Sequence, residues 1–292
     1  MLYDIVIIGG GPAGLSAAIT ARARNKRTLI VSNPKEKNPL ASSLLVENYP
    51  GMKAVTGLHL LKTMHTQAEE LGAEILEARA LSIVPLQDRF MVTTSKDVIE
   101  GRTILIACGA SSGGKSFEGE AEYLGRGVSY CATCDGMLYR SATVLIVGLS
   151  DEAAEEANFM AEICETVHFV ASKIPEGLDE RIQKHSGRLL SIKGNALGVT
   201  SAIVSERPYR SAEPTTTNLD VNGIFILRPG VAPTNMLSTL ETEEGFIKVD
   251  SNMHTNIEGV FAAGDCTGKP MQVAKAVGQG QIAVFSAVAY LG

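Results

Sequence analysis

A short apolar run, a glycine-rich turn and a helical segment follow one another twice in this chain, about 140 residues apart, and this repeat constrains the fold more than any other feature. In the first copy, Asp4-Ile5-Val6-Ile7-Ile8 shows no polar alternation, as a strand buried on both faces of a parallel sheet requires. Gly9-Gly10-Gly11-Pro12-Ala13-Gly14 follows, Leu15 to Arg24 reads as a helix, and Thr28-Leu29-Ile30-Val31 as the next strand. The second copy opens with the strand Thr143-Val144-Leu145-Ile146-Val147-Gly148, continues as a helix over about 152–164, and closes on Val167-His168-Phe169-Val170. Each copy is a βαβ unit, so the chain is expected to be α/β with two Rossmann-like, dinucleotide-binding-type domains. A last strand, Gly259–Ala263, leads through Gly264-Asp265 into a closing helix from about Gln272 to Leu291, and the stretch from Arg207 to Gly223 reads as a surface loop.

The 292 residues suit two domains, and 45% hydrophobic with 20% charged residues is a core-forming composition. No apolar run approaches the roughly 18 residues of a membrane span. The strand pattern starts at Met1-Leu2-Tyr3-Asp4, which leaves no room for a secretory leader, so a cytoplasmic location is expected. The net charge of −6 argues against nucleic acid as the main partner, and the excess lies in residues 113–242, with 11 Lys/Arg against 17 Asp/Glu.

The first turn carries glycine where a bound dinucleotide needs it. Gly9 makes the tight turn, Gly11 admits backbone to a pyrophosphate, and Gly14 lets helix and strand pack closely. Pro12 and Ala13 complete the entry into a helix whose N-terminal amides and dipole favour phosphate. The acid expected to close the second strand and hold a ribose is replaced by Ser32-Asn33, which leaves the ribose contact unassigned.

Five cysteines, an odd number, make no disulfide framework. Within Cys131-Ala132-Thr133-Cys134-Asp135-Gly136, two cysteines three apart suit redox chemistry. The alternative, half of a zinc site, finds no second C-x-x-C or paired histidines by spacing. Cys108, Cys164 and Cys266 read as packing residues, and the five histidines show no metal or Cys–His spacing.

G-G-G-P-A-G-L near the start, V-E-N-Y-P-G at 46–51, C-A-T-C-D-G at 131–136 and G-V-F-A-A-G-D-C at 259–266 together resemble the low-molecular-weight thioredoxin reductases over essentially the whole chain. That resemblance implies an FAD-binding domain of residues 1–112 and 243–292, with a second domain of residues 113–242 inserted into it and carrying the redox disulfide. It implies that Cys134 faces the flavin as the charge-transfer thiolate, that Cys131 attacks the disulfide of thioredoxin, and that Asp135 is the general acid–base. Asp265 would then bind the ribityl and pyrophosphate region, Gln272 and Val273 would meet the pyrimidine edge, and Asn48 would lie beside the ring. A homodimer is implied as well.

The second turn departs from that family's NADPH site. Gly148-Leu149-Ser150-Asp151-Glu152-Ala153 keeps one glycine, puts side chains where backbone should approach phosphate, and sets carboxylates at a helix N-terminus. Ala171-Ser172-Lys173 stands where a basic cluster would grip a 2′-phosphate. The pattern is similar to the ferredoxin-dependent flavin thioredoxin reductases. A plant-type ferredoxin at about −400 mV reducing thioredoxin at about −270 mV releases on the order of 6 kcal/mol over two electrons, enough without NADPH. Arg22, Arg24, Lys26, Arg27, Lys35 and Lys37 form the expected ferredoxin-docking cluster. On the same scaffold an oxygen-dependent dithiol oxidase, a diflavin disulfide reductase and a flavin-bound sensor are the rival readings.

Overall fold

A computed structural model describes residues 2–109, 117–206, 215–228 and 231–292, and for Cys134 the backbone alone. The chain divides into two compact units, Met1–Ser112 with Gly230–Gly292, and Gly113–Pro229.

The chain enters the first unit through β1 (Leu2–Ile8), α1 (Pro12–Ala23) and β2 (Thr28–Ser32). Then come α2 (Gly57–Glu70), β3 (Glu74–Glu77), β4 (Ala80–Pro85), β5 (Phe90–Thr94) and β6 (Val98–Ile106). The sheet runs β3-β2-β1-β6-β5-β4, parallel from β3 to β6. Ile5, Val6 and Ile7 are fully buried, so β1 is covered on both faces as its unbroken apolar run requires. In α1 the buried face is Ala13, Gly14, Leu15, Ala17, Ala18 and Ala21, mostly small residues that let the helix lie close on the sheet. Pro12 occupies the first helical turn, where its missing N–H costs no hydrogen bond. Thr56 starts α2, its Oγ1 accepting the His59 amide at 3.2 Å.

The second unit contains α3 (Glu120–Tyr123), β7 (Val128–Ser129), α4 (Ala132–Asp135), β8 (Thr143–Gly148), α5 (Ala153–Ile163) and β9 (Thr166–Ala171). β10 (Gln183–Asn195), β11 (Gly198–Glu206), β12 (Thr215–Asp220) and β13 (Gly223–Leu227) follow. Its sheet order is β12-β11-β10-β9-β8-β13-β7. One buried cluster includes Leu145, Val147, Ile192, Ala202 and Ile224, and another includes Val144, Ile146, Met160, Phe169 and Phe225.

The expected loop at Arg207–Gly223 needs correction. Thr215–Asp220 is a strand, antiparallel to β11, with Thr217 opposite Val204 and Leu219 opposite Ala202. Thr215, Thr216 and Thr217 are β-branched and suit a pleated edge. Residues 207–214 lie outside the described residues.

The chain rejoins the first unit with α6 (Pro233–Met236), the short pair β14 (Thr242–Glu243) and β15 (Phe246–Ile247), β16 (Val260–Ala262) and α7 (Val273–Leu291). The return falls at 230 and not at the expected 243. Met236, Leu237 and Leu240 are buried, and α6 packs beside β4 of the first unit, so this segment belongs to that core. β16 pairs with β6 in parallel, Ala262 opposite Ile106. α7 packs along α1: the Ser16 hydroxyl donates to the Val277 carbonyl at 2.8 Å, and a Cβ on Gly280 would strike the Ala13 carbonyl. Among the described residues no helix is long and apolar enough to cross a membrane.

Candidate functional site

In the first unit the glycine turn is built for close approach. Gly9 has φ +116°, donates its amide to the Val31 carbonyl at 2.8 Å, and has no room for a Cβ against the Ala107 carbonyl. A Cβ on Gly14 would collide with the Gly9 carbonyl. Gly11 is different: among the described residues only Asn38 Nδ2 comes near an added Cβ, at 3.3 Å. Gly11 also occupies the N-cap of α1 and has no side chain to bond the first amides, so they face outward beside Pro12 and Ala13 with the positive end of the helix dipole.

The other end of the chain is brought to this turn. Gly264, at φ +88°, lies so close to Ala13 that a Cβ would sit 2.9 Å from the alanine methyl. Its amide donates to Gln279 Oε1 at 2.9 Å, and Lys275 Nζ donates to the Gly264 and Gly268 carbonyls. Asp265 follows, with Oδ1 buried and without a hydrogen-bond partner among the described residues. Burial pushes its carboxyl above the usual range, against the pull of Lys275, and burial also lowers the Lys275 ammonium. Asn48 and Gln272, 224 residues apart, are joined by a hydrogen bond from Asn48 Nδ2 to Gln272 Oε1 at 2.8 Å, and Val273 begins α7 next to Gln272.

The place of the missing acid is now accounted for. Ser32 Oγ accepts the Gly10 amide at 3.0 Å and donates to the Asn33 carbonyl at 2.9 Å, so the end of β2 ties down the glycine turn itself. His65 of α2, which the sequence did not single out, stands over Gly10 and keeps Nε2 buried without a partner among the described residues. Burial first, and Lys35 second, hold its imidazole below the ordinary histidine range.

In the second unit, Cys131 directly precedes α4, is 4% exposed and is disulfide-bonded. Cys108, Cys164 and Cys266 are reduced. Ser129 Oγ donates to Asp135 Oδ2 at 2.6 Å and accepts the Cys131 amide at 3.1 Å, so one hydroxyl links the first cysteine to the Asp135 carboxylate. The Asp135 amide closes the turn on the Cys131 carbonyl.

Two further carboxylates fix this loop, and neither could be read from spacing. Glu156 of α5 accepts the Ala132 amide at 2.8 Å. Glu120, 1% exposed, is gripped by both Arg228 terminal nitrogens at 2.6 and 2.8 Å, accepts the Phe117 amide, and accepts the Tyr130 hydroxyl at 2.9 Å. Tyr130, adjacent to Cys131, is pushed well above the usual tyrosine range by burial and by the Glu120 charge, which keeps its hydroxyl a donor.

The second glycine turn holds no comparable cradle. A Cβ on Gly148 would enter the Phe169 ring, Leu149 is exposed, Ser150 Oγ is buried without a partner among the described residues, and Glu155 and Glu156 stand in the first turn of α5. Elsewhere, Cys108 and Cys164 are less buried than their reading as packing residues implies. Cys108 lies beyond β6 and is half-buried, and Cys164 caps α5, its thiol donating to the Tyr139 carbonyl and raised to about 11 by burial. His168 and His185, 2.9 Å apart, form a chain that ends on Glu206.

Fold and site together define a disulfide oxidoreductase built on two dinucleotide-type units. The family pattern described as pyridine nucleotide-disulphide oxidoreductase matches residues 3–280. The thioredoxin reductase of Ureaplasma parvum is 32% identical over 300 residues, covering 99% of this chain and 97% of the relative. Among solved structures, a ferredoxin-flavin thioredoxin reductase from Clostridium acetobutylicum is 36% identical with a TM-score of 0.84, covering 99% of this chain and 98% of the other. A thioredoxin reductase from Gloeobacter violaceus is 34% identical with a TM-score of 0.81, covering 99% and 94%. The chain belongs to the pyridine nucleotide-disulphide oxidoreductase family, on its thioredoxin reductase branch, and is a flavoprotein oxidoreductase.

Proposed function

We propose that this enzyme reduces thioredoxin through Cys131 and Cys134, using FAD and electrons from reduced ferredoxin in place of NADPH. The observation that carries the reading is the loss of a phosphate cradle in the second unit. Phe169 fills the space at Gly148, Leu149 and Ser150 replace backbone, and carboxylates crowd the start of α5 where a pyrophosphate needs free amides and positive potential. Ser172 and Lys173 offer no arginine fork for a 2′-phosphate. The similarity to a structure described as a ferredoxin-flavin thioredoxin reductase supports the same donor.

The residues of the first unit fit FAD. Gly9, Gly11, Pro12, Ala13 and Gly14 would hold the pyrophosphate, the unpartnered Asp265 oxygen would accept a ribityl hydroxyl, and Asn48, Gln272 and Val273 would border the ring. When bound, the flavin collects single electrons and delivers them in pairs to a disulfide. Cys134 would face it, Cys131 would attack the thioredoxin disulfide, and Asp135, oriented by Ser129, would hold the proton exchanged with the departing thiolate. Cys131 is nearly buried, so attack on a protein disulfide requires the site to open.

The proposal includes a cytoplasmic homodimer, and exposed Ile282, Phe285 and Tyr290 on α7 supply apolar surface for one. It also includes ferredoxin docking on the basic cluster, in which the side chains differ in their partners. Arg27 pairs with Glu74 at 3.1 Å and Arg22 bonds the Leu71 and Lys26 carbonyls. Arg24 is exposed, stacked 4.1 Å over Phe285, and Lys26 reaches the Gly292 carbonyl at 3.5 Å. Arg24 and Lys26 would therefore carry the steering charge of this cluster.

Steady-state reduction of thioredoxin with each donor tests the reading. Turnover with reduced ferredoxin, absent with NADPH and abolished in Cys131→Ser and Cys134→Ser, is the expected result. Comparable turnover with NADPH would overturn it.

A further inference from the structure

Cys108 and Cys266 lie 158 positions apart in sequence, yet the sheet brings them together in the first unit. β6 and β16 are parallel neighbours with Ile106 opposite Ala262, and both cysteines follow the carboxyl ends of these strands. Beyond β16 the chain reverses through Gly264 and the short turn Asp265–Thr267. That reversal leaves Cys266 Sγ 3.4 Å from the Ile106 carbonyl and 3.2 Å from the Ala263 carbonyl. Cys108 is two residues past Ile106, so the two cysteines follow adjacent strand ends.

The pair is asymmetric in the way that peroxide-reactive dithiols are. Cys108 is half-buried, whereas Cys266 is 4% exposed. The neighbouring Cys266 holds the Cys108 thiol below its ordinary range despite burial, and Cys108 together with burial holds the Cys266 thiol well above it. The pair stands at the nucleotide turn: a Cβ on Gly9 would come within 3.0 Å of the Cys108 Cα, and Asp265 directly precedes Cys266.

We propose that Cys108 and Cys266 form a second dithiol–disulfide couple, an oxidation site for hydroperoxides that is separate from the Cys131 centre. The Cys108 thiolate attacks the hydroperoxide O–O bond, which breaks to give a sulfenic acid on Cys108 and water or an alcohol. The Cys266 sulfur then attacks the Cys108 sulfur, the S–O bond breaks, the Cys266 proton leaves with the hydroxyl as water, and the S–S bond forms. Two thiols and one hydroperoxide thus give one disulfide, one water, and one further water or alcohol. The bond ties the turn that presents Asp265 to the end of β6. The inference is independent of which donor reduces the enzyme.

The test uses the full-length, flavin-loaded protein carrying Cys131→Ser and Cys134→Ser, reduced, freed of reductant and treated with one equivalent of hydrogen peroxide. Titratable thiols, counted in denaturant, should fall from the three of Cys108, Cys164 and Cys266 to Cys164 alone. The intact mass should drop by about 2 Da, reversibly with dithiothreitol. A non-reducing digest should yield Cys108 and Cys266 peptides joined to each other, and the same joined peptides should appear in peroxide-treated wild-type protein. Retention of all three thiols, a link through Cys164, or sulfinic acid at Cys108 without a link would overturn the proposal.

Discussion

Replacing Arg228 with methionine should destabilise the second unit strongly, because it removes one member of a buried ion pair and leaves the other. Arg228 is 6% exposed and Glu120 1%, joined by two bonds of 2.6 and 2.8 Å. After the change the Glu120 carboxylate keeps the Phe117 amide and the Tyr130 hydroxyl but loses its counter-charge. Stranding a buried charge costs about 3–5 kcal/mol, whereas an exposed pair such as Arg89–Asp88 is worth about 1 kcal/mol or less. The pH response has a definite sign. Burial alone pushes the Glu120 carboxyl up, but Arg228, the Phe117 amide and Tyr130 outweigh it and hold it below the ordinary value. A carboxyl depressed in the folded state stabilises above its unfolded pKa of about 4.3, and that contribution is lost as pH falls through the folded value. Without Arg228 burial dominates, the carboxyl rises, and the penalty should shrink as acid protonates it. Urea unfolding followed by circular dichroism, at about pH 7.5 and about pH 5, should show this in Arg228→Met relative to wild type. Glu120→Gln with Arg228→Met should cost at least about 1 kcal/mol less than the two single changes summed. A cost for Arg228→Met below about 1 kcal/mol near neutrality, or additive single changes, would refute the account of this network.

Gly11→Ala should fold normally and lose flavin, since among the described residues a methyl there meets only Asn38, while Gly14→Ala should lower the melting temperature because its methyl meets the Gly9 carbonyl; absorbance ratio and thermal melts separate the two. Arg24→Glu with Lys26→Glu should raise the KM for ferredoxin at low salt with kcat little changed, and an unaltered KM would remove this docking face. His65 is held below its ordinary pKa by burial and then by Lys35, so its folded form resists protonation and stability falls as pH drops through about 6.5. His65→Gln should flatten that part of the stability–pH curve, as measured by urea midpoints.

What the sequence revealed, and what it did not, follows from the range of the interactions involved. The two βαβ units were legible because a strand, a turn and a helix are local: β1, α1, β8 and α5 all begin and end within three residues of their expected positions. The strand at Thr215–Asp220 was missed because its threonines suit a loop as well as an edge, and only the partner β11 decides. The return to the first unit at 230 was set by burial of Met236, Leu237 and Leu240, which have no periodic signature. Glycine spacing gave the turn at residues 9–14, and the C-A-T-C-D-G hexapeptide gave the thiol centre. The Glu156 bond to Ala132, the Glu120–Arg228 pair and the position of His65 all depend on residues brought together from distant segments. The same holds for Cys108 and Cys266, which read singly as packing residues and meet only because β6 and β16 are neighbours.

The most direct test of the central claim is the reductive half-reaction, followed anaerobically in the flavin absorbance. Two portions of oxidised enzyme receive NADPH or reduced ferredoxin, and each then receives oxidised thioredoxin. Bleaching by ferredoxin alone, with colour restored by thioredoxin, is the predicted result. Rapid bleaching by NADPH would contradict the account, because it would mean that the turn at Gly148–Glu152 binds a pyridine nucleotide despite its side chains and charge.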